Sequence, residues 1–150
     1  MIRVRTGMLS LCAAAALVLG APQLAVAKTT IKELMGDNFG GLQTILFGLI
    51  SANYAAVPAQ ADVIHDHAEQ LVGLIPESAQ KERAQFLAYA NNLGAHASDM
   101  KTIALELMKH DKERGVSSTD YLREALASHY GGMVTMCVAC HNRYRPLPAK

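Results

Sequence analysis

Near the end of the chain stands CVACH, Cys137 to His141: two thiols three residues apart and an imidazole immediately after the second. This spacing is that of c-type haem attachment, in which both thiols add across the porphyrin vinyl groups and the adjoining imidazole ligates the iron. On a helix, Cys137 and Cys140 are three apart and Cys137 and His141 four apart, so all three project from one face. Two rival uses of the thiols fare worse. A thioredoxin-type pair needs a helix N-terminus to activate its thiol, whereas this motif falls in the last turns of a helix, where the dipole has the opposite sign. A structural zinc site needs four ligands, and the chain has no second C-x-x-C; His65 and His67, two apart, face different sides of their helix.

Haem attachment of this kind takes place after export, and the N-terminus fits that requirement. Arg3 and Arg5 precede an apolar run from Met8 to Leu19, and small residues follow, ending Ala25-Val26-Ala27. This is the order of a signal peptide cleaved after residue 27. The run is too short for a membrane anchor, and Cys12 at its start is misplaced for a lipid acceptor. The remaining chain, 28–150, has the size of one domain. Without Arg3 and Arg5, 12 of the 14 Lys and Arg remain against 13 Asp and Glu, a balance of −1. No basic stripe interleaved with aromatics appears, so nucleic acid is not an expected partner. A disulfide between Cys137 and Cys140 would close too small a loop to stabilise the fold much, which leaves a covalent cofactor as the better use of the pair.

The elements that must position the motif are helical. No period-two stretch is long enough for a sheet, and four segments carry apolar residues at helical spacing. The first is expected over about Thr30 to Tyr54, with Ile31, Leu34, Met35, Phe39, Leu42, Ile45, Leu46 and Leu49 inward. The second runs from about Ala59 to Ile75, with Ile64, Ala68, Leu71, Val72 and Ile75 inward and Pro76 as its stop. The third spans about Ser78 to His110, with Phe86, Tyr89, Leu93, Met100, Ile103, Ala104 and Leu107 inward, and Gly115 marks its end. The fourth starts at a cap within Ser117-Ser118-Thr119 and continues to Pro146, with Leu122, Leu126, Met133, Cys137, Cys140 and Tyr144 on one stripe. The expected fold is all-α, an antiparallel four-helix bundle holding its cofactor between facing helices. Gly36, Gly40, Gly41, Gly48, Gly131 and Gly132 each cost up to about 1 kcal/mol against alanine inside a helix. Close helix contact or a kink accounts for them on one reading, and clearance for a flat macrocycle on the other. His96 lies on the third helix's apolar seam and reads as a hydrogen-bonded core histidine ahead of an iron ligand. His65, His67, His110 and His129 read as ordinary helix residues at or near the surface.

CVACHNRYR at the end of the last helix, together with KELMGDNFGGL near the start of the first, resembles the class II cytochromes c, the cytochromes c prime and their low-spin relatives. Helix order matches over the whole mature chain, and the motif sequences match at its two ends. The resemblance implies a bacterial periplasmic protein, one covalent haem c in a left-handed four-helix bundle, and often a homodimer through helices 1 and 2. It further implies thioethers at Cys137 and Cys140, His141 as proximal iron ligand and Arg145 as a basic residue beside the proximal haem face. Met35 takes the place of the sulfur sixth ligand of low-spin members. Lys32 takes the place of the bulky distal guard of five-coordinate members, and Phe39 joins it as a candidate haem contact. Lys28 falls near a basic residue that approaches the haem propionates.

Apart from the resemblance, Met35 can be read as core packing or as an axial thioether with Gly36 reducing crowding beside it. The leading function is that of an electron carrier with His/Met ligation, docking on a redox partner protein and not an enzyme; no paired carboxylates or nucleophile-base arrangement stand out. The alternative is a five-coordinate haem protein that binds NO or CO. A third reading is a haem-dependent interaction module without redox duty.

Overall fold

A computed structural model of the chain describes residues 29–113 and 119–144, and nothing but helices and their connections is found among them. Four helices pack against one another: α1, Ile31–Ile50; α2, Val57–Gly73; α3, Arg83–Glu113; and α4, Asp120–Tyr144. Short 3₁₀ turns, Tyr54–Ala56 and Glu77–Glu82, precede α2 and α3. The signal segment, Lys28, Gly115, Ser117, Arg145 and Pro146 lie outside the described residues.

The sequence specifies the helix ends locally. Thr30 caps α1 through a reciprocal capping box: its hydroxyl accepts from the Glu33 N–H, and the Glu33 carboxylate accepts from the Thr30 N–H at 2.8 Å. Those hydrogen bonds hold the Glu33 carboxyl below the ordinary carboxylate value, backbone contribution first. α1 ends at Ile50, four residues short of the expected Tyr54. There the Asn53 N–H returns to the Gly48 carbonyl at 2.9 Å and the Ala52 N–H to the Leu49 carbonyl, with Ala52 in the left-handed region at φ 53°. This is a Schellman stop. A Cβ at Gly48 would lie 2.8 Å from the Asn53 carbonyl oxygen, so the returning chain requires glycine there. α2 starts two residues earlier than the expected Ala59, because Pro58 is tolerated in a first turn whose N–H groups have no helical partner. It stops at Gly73, before Ile75, and Pro76 instead opens the next turn. At α4 the Thr119 carbonyl accepts from Leu122 and Arg123, which fixes the start within the expected cap region.

Two core clusters run through the molecule. The first centres on Ile45, Ile64, Met100, Leu107, Leu126 and Met133, all nearly or wholly inaccessible. The second gathers Leu34, Leu71, Phe86, Ala90 and Tyr144. The buried residues of α2, α3 and α4 include most of the expected stripes. α1 differs: Phe39, expected inward, is 64% exposed and Leu46 is exposed too, while Asn38, Gly41 and Gly48 take core positions. Close approach to α2 explains the exchange, since a Cβ at Gly41 would already meet Gln60 and Ile64 at 3.3 to 3.4 Å. Large side chains cannot face that contact and turn outward. The α2–α3 and α3–α4 interfaces are extensive, whereas the α1–α4 seam is slight.

Candidate functional site

Each of the four helices sends a side chain to one small apolar cleft. α4 contributes Met136, Cys137, Cys140 and His141; α1 contributes Met35 and α2 Leu71; Phe86, Tyr89, Ala90 and Leu93 come from α3. Cys137 packs on the first core cluster and Cys140 on the second, so the C-x-x-C spacing straddles the gap between them. His141 is exposed and Met35 half-buried. The structure therefore brings together Cys137, Cys140, His141 and Met35, which lie about a hundred residues apart in sequence. Lys32 and Phe39 are exposed and do not line the cleft, and Arg145 lies outside the described residues.

The end of α4 that carries these groups is tied down from the turn before α3. Arg143 grips Glu82 with two charge-assisted hydrogen bonds, from Nε at 2.6 Å and Nη2 at 2.8 Å. The Ser78 hydroxyl donates to the Tyr144 carbonyl at 3.1 Å. The Tyr144 ring stands edge-on to Phe86 and Tyr89, with centroids 5.6 and 6.3 Å away. Arg143 also lies in the last turn, where a cation suits the helix dipole. Its hydrogen bonds pull the Glu82 carboxyl below its ordinary value, against a smaller opposing effect of burial. None of this was legible from the motif, because Glu82 and Arg143 are 61 residues apart. A carboxylate at the foot of one helix and an arginine at the end of another give no periodic signal.

Both thiols are free, and neither is activated. Burial pushes Cys137 above the ordinary thiol value; Cys140 is raised first by burial and then by the charge of Cys137. A thiol–disulfide exchange site needs the opposite shift, so the environment, like the position at a helix C-terminus, disfavours redox exchange.

The donor chemistry fits haem c: two thiols, an imidazole and a thioether border one apolar space, with aromatic and aliphatic walls. As packed, that space is about 20 Å³, little more than one water molecule requires. Seating a flat macrocycle means parting the walls by about the 3.5–4 Å contact distance between carbon layers. The α1–α4 seam is slight beside the α2–α3 and α3–α4 interfaces, so parting the walls there disrupts little helix contact. Among the described residues no group of three or more His, Cys, Asp or Glu side chains stands ready to hold a bare metal ion.

The glycines divide by this geometry. Gly41, Gly48 and Gly132 are close-contact positions, the last against the His96 ring, whereas Gly36, Gly40 and Gly131 have open space beside them. His96 faces Gly132 and His129 and does not line the cleft. His65 bonds the Gly94 carbonyl at 3.0 Å and His67 meets Asn38 Oδ1 at 2.7 Å, so both are anchored, half-buried helix residues. No helix among the described residues is long and apolar enough to cross a membrane.

Comparison of the chain with protein-family models, with curated proteins and with solved structures finds no match.

Proposed function

We propose that this chain is an exported monohaem c-type cytochrome that carries electrons, a low-spin relative of the class II cytochromes c built as an antiparallel four-helix bundle. The observation that carries the reading is the convergence of Cys137, Cys140 and His141 with Met35 on one cleft framed by all four helices. Haem c, when bound, supplies a one-electron iron couple. The residues of the chain do the rest. Cys137 and Cys140 would hold the macrocycle covalently, His141 would offer its imidazole from the same face of α4, and Met35 would offer a thioether from α1. Leu71, Phe86 and Leu93 keep the cleft apolar, which limits water and favours the reduced, less charged state. The clamp through Glu82, Ser78 and Tyr144 holds the end of α4 in place, so the attachment face keeps its orientation.

Optical spectra of the ferric and ferrous protein test the reading. A low-spin ferric spectrum with a sulfur-to-iron charge-transfer band, lost in Met35→Ala, is expected. High-spin spectra in both oxidation states would overturn sulfur ligation and favour the NO- or CO-binding alternative.

A homodimer through α1 and α2 belongs to the same proposal. Phe39, Leu46, Phe47 and Ile50 form one outward stripe of α1, with Phe47 72% and Ile50 77% exposed, and Val63 and Val72 of α2 are exposed as well. A second copy burying this stripe predicts a dimer by sedimentation, dissociated in Phe47→Ser; a monomeric wild type would reject it.

A further inference from the structure

His96 of α3 and His129 of α4 meet ring nitrogen to ring nitrogen, Nδ1 to Nδ1, at 3.3 Å. Asp99, one turn further along α3, brings its Oδ2 to 3.7 Å from the same His129 nitrogen. We infer that His96 and His129 form a two-imidazole chelating pair for a divalent transition-metal ion bridging α3 and α4, and that a bound ion draws in the Asp99 carboxylate, which is not in place beforehand, as an anionic third ligand.

The spacing is the first argument. Imidazole nitrogens bind zinc at about 2.0–2.1 Å, and two such bonds at the tetrahedral angle put the nitrogens about 3.3–3.4 Å apart. The pair already stands at that separation. Asp99 is a few tenths of an ångström too far to complete a preformed centre, but its side chain is 61% exposed and can close by a small rotation. Solvent reaches the fourth position, since the His129 side chain is itself 26% exposed.

Preorganisation is the second argument. The His96 ring packs against α4 at Gly132: a Cβ there would fall 2.6 Å from its Cε1 and Nε2. Gly132 thus gives up helix propensity to let the imidazole in, and α4 in turn keeps the ring aimed at His129, with ring centroids 5.4 Å apart. Proton balance is simple. One ring of the neutral pair donates its Nδ1–H to the other; on metal binding that proton shifts to Nε2 of the same ring, and both Nδ1 lone pairs face the ion. His129 precedes Cys137 by eight residues, about 12 Å along the helix, so the pair is separate from the C-terminal cleft and the inference does not rest on haem being present.

Calorimetric titration of Zn²⁺ into the mature protein tests it, with wild type, His96→Gln, His129→Gln and Asp99→Asn compared. Any zinc taken by the cysteines is common to all four, so the differences report this pair. The expected result is one zinc equivalent in the wild type that is lost, or weakened at least tenfold, in each glutamine variant, and weakened in Asp99→Asn. Zinc should also raise the melting temperature of the wild type by more than that of His129→Gln. If His96→Gln does not fold, His129→Gln at the more accessible position decides alone. A wild type that binds no zinc beyond its cysteines, or a His129→Gln protein that binds it equally well, would overturn the inference and leave the contact as a plain hydrogen bond.

Discussion

Gly131 and Gly132 stand side by side in α4, and alanine at the two positions is expected to act in opposite directions. In a helix interior either replacement gains about 1 kcal/mol of propensity. A methyl at Gly131 meets nothing within 4 Å, so Gly131→Ala should stabilise by about 1 kcal/mol and raise Tm by about 4 °C for a domain of this size. A methyl at Gly132 would sit 2.6 Å from His96 Cε1 and Nε2 and 2.8 Å from Cδ2. The ring must leave its place on α4, and overpacking of this kind costs about 1–3 kcal/mol. Losing the His96–His129 hydrogen bond costs about 1 kcal/mol more. Against the propensity gain, Gly132→Ala should destabilise by about 1–3 kcal/mol. Urea unfolding followed by far-UV circular dichroism measures both variants. The mechanism also fixes a double mutant: with His96→Ala in the background the obstacle is gone, and Gly132→Ala should then stabilise by about 1 kcal/mol. If Gly132→Ala stabilises as much as Gly131→Ala with His96 intact, the packing of that ring on α4 is wrong.

Ala52 adopts a left-handed φ of 53° at the end of α1, so Ala52→Gly should stabilise by about 0.5–1 kcal/mol, and destabilisation in the same unfolding assay would count against the Schellman stop. Met133 is fully buried in the first core cluster, and Met133→Ala should lose about 2–5 kcal/mol; a loss under 1 kcal/mol would mean α4 is not packed there. Glu82 has its folded value depressed below the ordinary 4.5, chiefly by the Arg143 hydrogen bonds. Its contribution is therefore present above about 4.5 and lost as pH falls through the folded value. Glu82→Gln should flatten the acid side of the stability profile, and an unchanged acid limb would show that the pair contributes nothing there.

Which parts of the molecule were legible in the sequence follows from what periodicity can encode. The inner seam of α3 was legible because Phe86, Leu93, Met100, Ala104 and Leu107 recur without interruption, and all five are buried, although the α-helix begins at Arg83 and the expected start, Ser78, lies in the preceding 3₁₀ turn. α1 was not, because it is apolar on more than one side: Phe39 and Leu46 fit an inner stripe as well as Leu34 and Ile45 do, and spacing alone cannot choose between a core and an outward face. The choice was made by Gly41 and Gly48, whose missing side chains let α2 approach. The α1 boundary was missed because Ala52 carries a Cβ and gives no sign of a left-handed turn. For the candidate site, three of the four donors were visible as CVACH, and helical spacing alone sets them on one face. That Met35 reaches the same cleft depends on how α1 packs, and the clamp from Ser78 and Glu82 to the last turn of α4 depends on tertiary contacts with no local signature.

Electron transfer by this chain, as proposed, depends on a porphyrin carried by Cys137 and Cys140. The mass of the peptide spanning Cys137 to His141, taken from protein secreted by a host that attaches c-type haem, tests it most directly. One haem added to that peptide is expected, with both sulfurs closed to iodoacetamide. A peptide of unmodified mass with two alkylatable thiols, or with a disulfide between them, would contradict it.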